Sequence, residues 1–258
     1  MNTGFYSAYA GFAARMDELD VVANNLANVN TSGFKAQREF YRSFTASLTE
    51  SRPPAAMLTV SQAVQQASNQ FGILGGTHMD LAQGSLQMTG NDTDVALEGS
   101  GFLAVLTKDG VRYTRNGGFR LDKSRNLVTQ QGDQVLSEQS SGRPPQPIQI
   151  PSGIVNISPD GSISVDGALV AKLRVDDFPP GTRLKQEGDT YITAPGATPK
   201  PAVDATVRQG ALESSNSDPI RSTVALIALQ RTAQIMEKAL SIFHNEFNKT
   251  AAQTLPQV

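Results

Sequence analysis

The sequence predicts an α+β fold: long N- and C-terminal helices that pack together, plus a central, mainly antiparallel β domain. Three observations carry this. Residues 3–30 repeat apolar side chains in steps of three, four and seven, and residues 219–249 do the same. Between about 81 and 212, turn signals recur at short intervals with little helical periodicity between them. The predicted organisation is a helical assembly domain from 1–33 and 217–258, an extended connector over 34–80, and a β-rich domain over 81–216.

The first helix is read from Phe5, Phe12, Leu19 and Leu26, each seven residues after the last. Ala8, Val22 and Val29 supply the second heptad position, while Tyr9, Met16 and Ala23 widen the seam. Asn2 or Thr3 can cap its start. Asn28, Asn30, Thr31, Ser32 and Gly33 cluster where the pattern stops, and Asn and Gly tolerate the left-handed backbone that closes helices. Arg15 interrupts a core position, and Gly4 and Gly11 lower helicity, so this helix is weak alone.

In the connector, Phe34, Phe40, Tyr41, Phe44 and Leu48 fit neither period, and Pro53 and Pro54 break the chain. Val60 to Gln70 reads as helical, and Gly72 to Gly76 as flexible. The β region opens with short apolar runs at Val95 to Leu97 and Phe102 to Leu106. Asp109-Gly110 and Asn116-Gly117-Gly118 mark hairpin turns, as do Asp160-Gly161 and Asp166-Gly167 flanking Ile163 and Val165. The second helix opens with Asp218 as an N-cap acid and Pro219 at the first helical position. Leu226, Ala233, Leu240 and Phe247 keep a seven-residue step, with Leu229, Met236 and Phe243 as their partners. Ile220, Val224, Ile227, Ile235 and Ile242 lie outside that seam, so the apolar surface suits more than one packing partner.

Composition narrows the function. With 22 basic and 24 acidic residues, net charge −2 and basic side chains scattered, no face for nucleic acid is expected. No cysteine is present, which removes disulfides, thiolate catalysis and cysteine-ligated metals. Arg15 is the first basic residue and no apolar core follows it, so no cleaved signal peptide is expected. Nor is there a run of about 18 apolar residues to insert in a membrane.

Chemical motifs are few. Gly99-Ser100-Gly101-Phe102-Leu103-Ala104 fits a dinucleotide-binding pattern, but a strand follows the glycines where the pyrophosphate needs a helix N-terminus. His78 and His244 are isolated from other metal-binding side chains. The pairs Asp92 with Asp94, and Asp176 with Asp177, read as solvated turn carboxylates. No catalytic residue, metal site or cofactor is expected.

An isolated helix is marginal in water, so each apolar stripe must be buried on the β domain, on the other helix or on neighbouring molecules. The residues alone also leave open a free-standing β domain, binding a glycan or peptide, with two ordinary core helices.

The string LDVVANNLANVNTSGFK at 19–35 resembles the signature of the flagellar basal-body rod and hook family. Gln83-Gly84-Ser85-Leu86, Thr89, Asn91, Asp94-Val95-Ala96 and Gly99-Ser100-Gly101-Phe102 resemble its central block. Tyr113-Thr114-Arg115-Asn116-Gly117, Phe119, Leu127-Val128-Thr129 and Gly132 continue it. Gly210 to Asn216 resembles the segment before the family's last helix, although Ser217 stands where the family usually has Val. The resemblance implies a subunit exported unfolded by the flagellar export apparatus, a route that the absence of cysteine suits. It implies self-association, and association with other rod, hook or ring proteins, into a tubular drive shaft in the extracytoplasmic basal body. The assembly interface it implies comprises Phe5, Phe12, Leu19, Val22, Asn24, Asn25, Leu26 and Asn28 with Leu226, Leu229, Met236, Leu240, Phe243 and Phe247. The three Asn amides either satisfy backbone groups between close-packed helices or cap the helix end. The opening GFYSAYAGF and the stretch 45–78, which lacks the Gly-punctuated segment associated with the distal type, resemble the proximal more than the distal rod type.

Overall fold

In the computed structural model of the chain, residues 2–44, 71–138 and 145–254 are described. Two compact units emerge. One gathers Met1–Asn24, Arg38–Thr77 and Ile220–Val258; the other gathers Asn25–Gln37 and His78–Pro219.

The first unit holds the helical pair. Helix α1 spans Asn2–Ala27 and helix α2 spans Pro219–Thr254. The two pack together: the Met236 methyl lies 3.6 Å from where a β-carbon on Gly11 would stand, and Ala14 and Ala233 are buried. Small residues at the contact let the helices approach closely. Gly11, which lowers helicity when the sequence is read alone, faces a methionine here, at a distance that an alanine would also allow. Pro219 is the first residue of α2, where its missing N–H costs nothing.

α1 ends three residues before the predicted limit. Val29 N–H donates to Leu26 O (3.3 Å) and Thr31 N–H to Asn28 O (3.1 Å), so the chain tightens into three-residue turns. The left-handed residue is Gly33, at φ 70°, rather than any of the asparagines.

Within the predicted connector, strands Gln37–Phe44 and Phe71–Met79 pair as a two-stranded sheet. Gly72 to Gly76, expected to be flexible, is therefore in a strand; pairing with Gln37–Phe44 overrides the weak strand preference of glycine. Pro53, Pro54 and the helical reading of Val60 to Gln70 lie outside the described residues.

The second unit is the β body, and its strand pairs are antiparallel. A nine-stranded sheet is centred on Phe102–Thr107, which pairs with Gly110–Thr114, Gln134–Val135 and Val175–Asp177. The Asp109-Gly110 turn closes the first of these hairpins in register Thr107↔Gly110. Asp166 (φ 51°) and Gly167 (φ 85°) turn Ser162–Val165 back onto Ala168–Lys172. The Gly99-Ser100-Gly101 turn leads directly into strand Phe102–Thr107. Val95, Leu97, Leu103, Val105, Leu127, Ile150 and Ile163 are fully buried in the main core.

Two late strands return to the start of the body. Thr206–Gln209 pairs with Val95–Glu98, and Ala211–Glu213 pairs with Leu86–Met88. These pairings lay residues 206–213 along residues 86–98, and Gly33 N–H donates to Glu213 O beside them.

The carboxylate pairs depart from expectation. Asp94 and Asp176 are buried, not solvated. Asp94 accepts from Thr89 Oγ1 (2.7 Å) and Asn91 Nδ2 (2.9 Å), and Asp176 pairs with Arg174 at 2.7 Å. Local donors offset the loss of water. Burial pushes the Asp176 carboxyl above its usual range, against the pull of Arg174.

Candidate functional site: a buried junction at the roots of the terminal helices

Inside the β body, Lys35, Arg115 and Glu213 form a buried charge cluster. Glu213 is 1% exposed, and Lys35 and Arg115 are buried with it. Lys35 Nζ donates to Glu213 Oε1 at 2.6 Å and to Ala82 O at 2.8 Å. Arg115 Nη1 reaches Glu213 Oε2 at 3.3 Å, and its Nη2 donates to Gly99 O at 2.6 Å. Gly84 N–H donates to Glu213 Oε1 at 2.9 Å. The Arg115 guanidinium also lies 5.3 Å from the Phe102 ring centroid, a favourable cation–π geometry.

One carboxylate thus serves two cations in a water-poor site. Desolvation lowers the Lys35 pKa, opposed by its bond to Glu213; Arg115 is lowered for the same first reason. Such a cluster holds only while every charge keeps its partner, because an orphaned buried charge costs about 3–5 kcal/mol.

Backbone bonds knit the same place. Gly33 N–H donates to Glu213 O at 2.7 Å, and Ser214 N–H to Ser85 O at 2.8 Å. The Asn216 side chain accepts from Ala36 N–H (2.7 Å) and donates to Asp80 O (2.8 Å) and Ala82 O (2.9 Å). Asn25 acts in the same way on the other side, where its amide donates to Gln37 O and accepts from Gln37 N–H, each at 2.8 Å. Glycine is required where backbones touch. A β-carbon on Gly84 would overlap the Ser214 carbonyl oxygen, and one on Gly33 would overlap the backbone of Arg115 and Asn116.

The residues named from sequence divide between this junction and the helical pair. Asn25 and Asn28 are buried, and Asn24 is exposed. Asn25 does satisfy backbone groups, but those of the strand that follows α1 rather than those of a neighbouring helix. Asn28 accepts from Thr31 Oγ1 at 3.1 Å in the turn beyond the helix. Phe12, Leu19, Val22 and Leu26 are half-buried, as are Leu226, Leu229, Met236 and Leu240. The side chains of Phe5, Phe243 and Phe247 lie outside the described residues. On α2 a second face is open: Val224 is 63% exposed and Ile235 69%, with Ile220, Ile227 and Ile242 exposed beside them. Lys35, Arg115 and Glu213 were not singled out from the sequence. Each falls inside a string that carries the family resemblance (GFK, TRNG and GALESSN), which is the signal that could have found them.

Within the body, one buried charge cluster thus ties residues 33–36 to residues 213–216. Two family descriptions match: "Flagella basal body rod protein" over residues 5–35 and "Flagellar hook protein FlgE/F/G D1 domain" over residues 96–165. The chain is 33% identical to the flagellar basal-body rod protein FlgF of Caulobacter vibrioides, over 97% of this chain and 98% of the relative. It is 29% identical to FlgF of Mesorhizobium japonicum, covering 93% and 95%, and 30% identical to FlgG of Borreliella burgdorferi, covering 95% and 96%. The chain belongs to the flagellar basal-body rod protein family. It is a structural protein of the bacterial flagellum, with its place in the basal body and its role in motility. Among the described residues, no helix is long and apolar enough to cross a membrane.

Proposed function

We propose that this chain is a non-enzymatic subunit that polymerises through its terminal helices into the tubular drive shaft of the flagellum. The carrying observation is the two-sided character of α2. One apolar face, Leu226, Leu229, Ala233, Met236 and Leu240, is at least half-buried in the subunit. The other, Val224, Ile227, Ile235 and Ile242, is exposed. Exposed apolar area of this kind is covered when molecules associate. In this reading, residues 1–33 and 217–258 form the assembly domain and 81–216 the outer body. The chain leaves the cytoplasm through the flagellar export apparatus without a cleaved signal, and joins other rod, hook or ring proteins. The proximal rod is its proposed position, on the strength of the opening GFYSAYAGF and of residues 45–78; the distal rod is the alternative.

Leu240→Asp tests the reading. The expected outcome is loss of incorporation into rods, and of swimming, with the β body melting as in the parent protein. Normal motility in that strain would refute assembly through α2. Locating the protein in isolated basal bodies separates proximal from distal directly.

A further inference from the structure

The exposed faces of the two helices differ in charge, and each carries one sign. On α2, positions 224, 227, 231, 235, 238 and 242 recur at steps of three and four, and so share one face. That face presents Val224, Ile227, Ile235 and Ile242 with Arg231 and Lys238 set among them, all exposed. On α1, positions 9, 13, 16, 20 and 24 share a face in the same way, with Asp17 beside it. Tyr9, Ala13, Met16, Asp17 and Asp20 are all exposed there. Arg15 and Glu18, the other charges of that stretch, pair with each other on a different side of the helix. Among the described residues, no ion pair joins Asp17, Asp20, Arg231 or Lys238.

Resting on the assembly reading above, we propose that the exposed face of α2 in one copy docks on the exposed face of α1 in a second copy, with Arg231 and Lys238 meeting Asp17 and Asp20. Apolar side chains surround the charges on both faces, so the contact buries hydrophobic area while opposite charges fix partner and orientation. The two faces are unlike. A contact between unlike faces is head-to-tail: it does not close a two-fold dimer, and it propagates into rings or open helices. Two Asp on one helix and two cations on the other also place like charges together whenever two copies meet by identical faces, which disfavours that dimer.

The test uses two charge-reversed chains in a strain lacking the chromosomal copy. The first carries Arg231→Glu and Lys238→Glu, so both its faces are acidic. The second carries Asp17→Lys and Asp20→Lys, so both its faces are basic. Each alone is expected to lose swimming and rod incorporation, while purified samples keep the thermal melt of the β body. Produced together they are expected to restore swimming, because each then offers the face that the other lacks. Normal swimming by either variant alone overturns the proposal. So does failure of the pair to restore swimming. Both results leave the rod reading standing. That reading falls only if the unaltered chain fails to restore swimming in the same strain.

Discussion

The junction and the helical pair solve opposite problems. At the junction every strong group is polar, and Lys35, Arg115 and Glu213 find their partners inside one subunit. On the helices the strong groups are apolar, and α2 covers one face while leaving another open. A charge buried without a partner is costly within one molecule, so the ion pairs of the polar joint are made inside it. An exposed isoleucine carries a modest penalty, so the apolar face can wait for a neighbour.

The sharpest way to break that contrast is Glu213→Gln, which leaves two cations facing each other in the body. It is expected to destabilise the β body by about 3–5 kcal/mol in a urea titration. Lys35→Met should cost less, since one cation and one carboxylate remain. If the two variants lose equal stability, the charge argument is wrong and the site is ordinary packing.

Gly84→Ala ranks next. The new methyl must push back the Ser214 backbone, at an expected cost of about 1–3 kcal/mol. Denaturation showing parent-like stability would mean that the two segments can separate freely.

A pH series addresses Lys35 directly. Burial lowers its folded pKa below 10.5, so over the interval between the two values the unfolded chain binds more protons. The stability of the β body should therefore rise with pH as that interval is crossed, and the rise should vanish in Lys35→Met. Above pH 10 a second group contributes with the opposite sign. Burial and the bond to Asp133 push Tyr191 up to about 12, so its contribution is full below pH 10 and is lost as pH climbs towards 12. Tyr191→Phe should flatten that alkaline loss.

The smallest effect on stability belongs to the open face. Ile227→Ser with Ile235→Ser should leave the folding free energy of the subunit within about 0.5 kcal/mol per site, as for other exposed positions. Rod incorporation should nevertheless fail. Measuring both in one variant separates what holds the molecule together from what joins molecules.

Periodicity made the helices legible because a repeated stripe is a local signal. Leu226, Leu229, Ala233, Met236 and Leu240 declare a face without reference to any other part of the chain. The hairpins were legible for the same reason, since Asp109-Gly110 and Asp166-Gly167 carry their own geometry. The junction was not legible from periodicity. Lys35 and Glu213 are 178 positions apart, Arg115 and Glu213 are 98 apart, and a lone charged residue reads as solvated until its partner is known. Asp94 and Asp176 were misread on a different ground: their donors Thr89, Asn91 and Arg174 are near in sequence, but nothing local marks those carboxylates as buried. Gly72 to Gly76 failed in the other direction, because a strand can draw its stability from a partner that composition does not reveal.

The Lys35–Glu213 bond also imposes a timetable. It closes a loop of 178 positions, and such distant contacts form late because the entropy of loop closure comes first. Until residue 213 arrives, the root of α1 has no counter-ion to settle against. A chain cut short before that point leaves the Lys35 ammonium without its carboxylate and Leu86–Met88 without its partner strand, so the body cannot close around either.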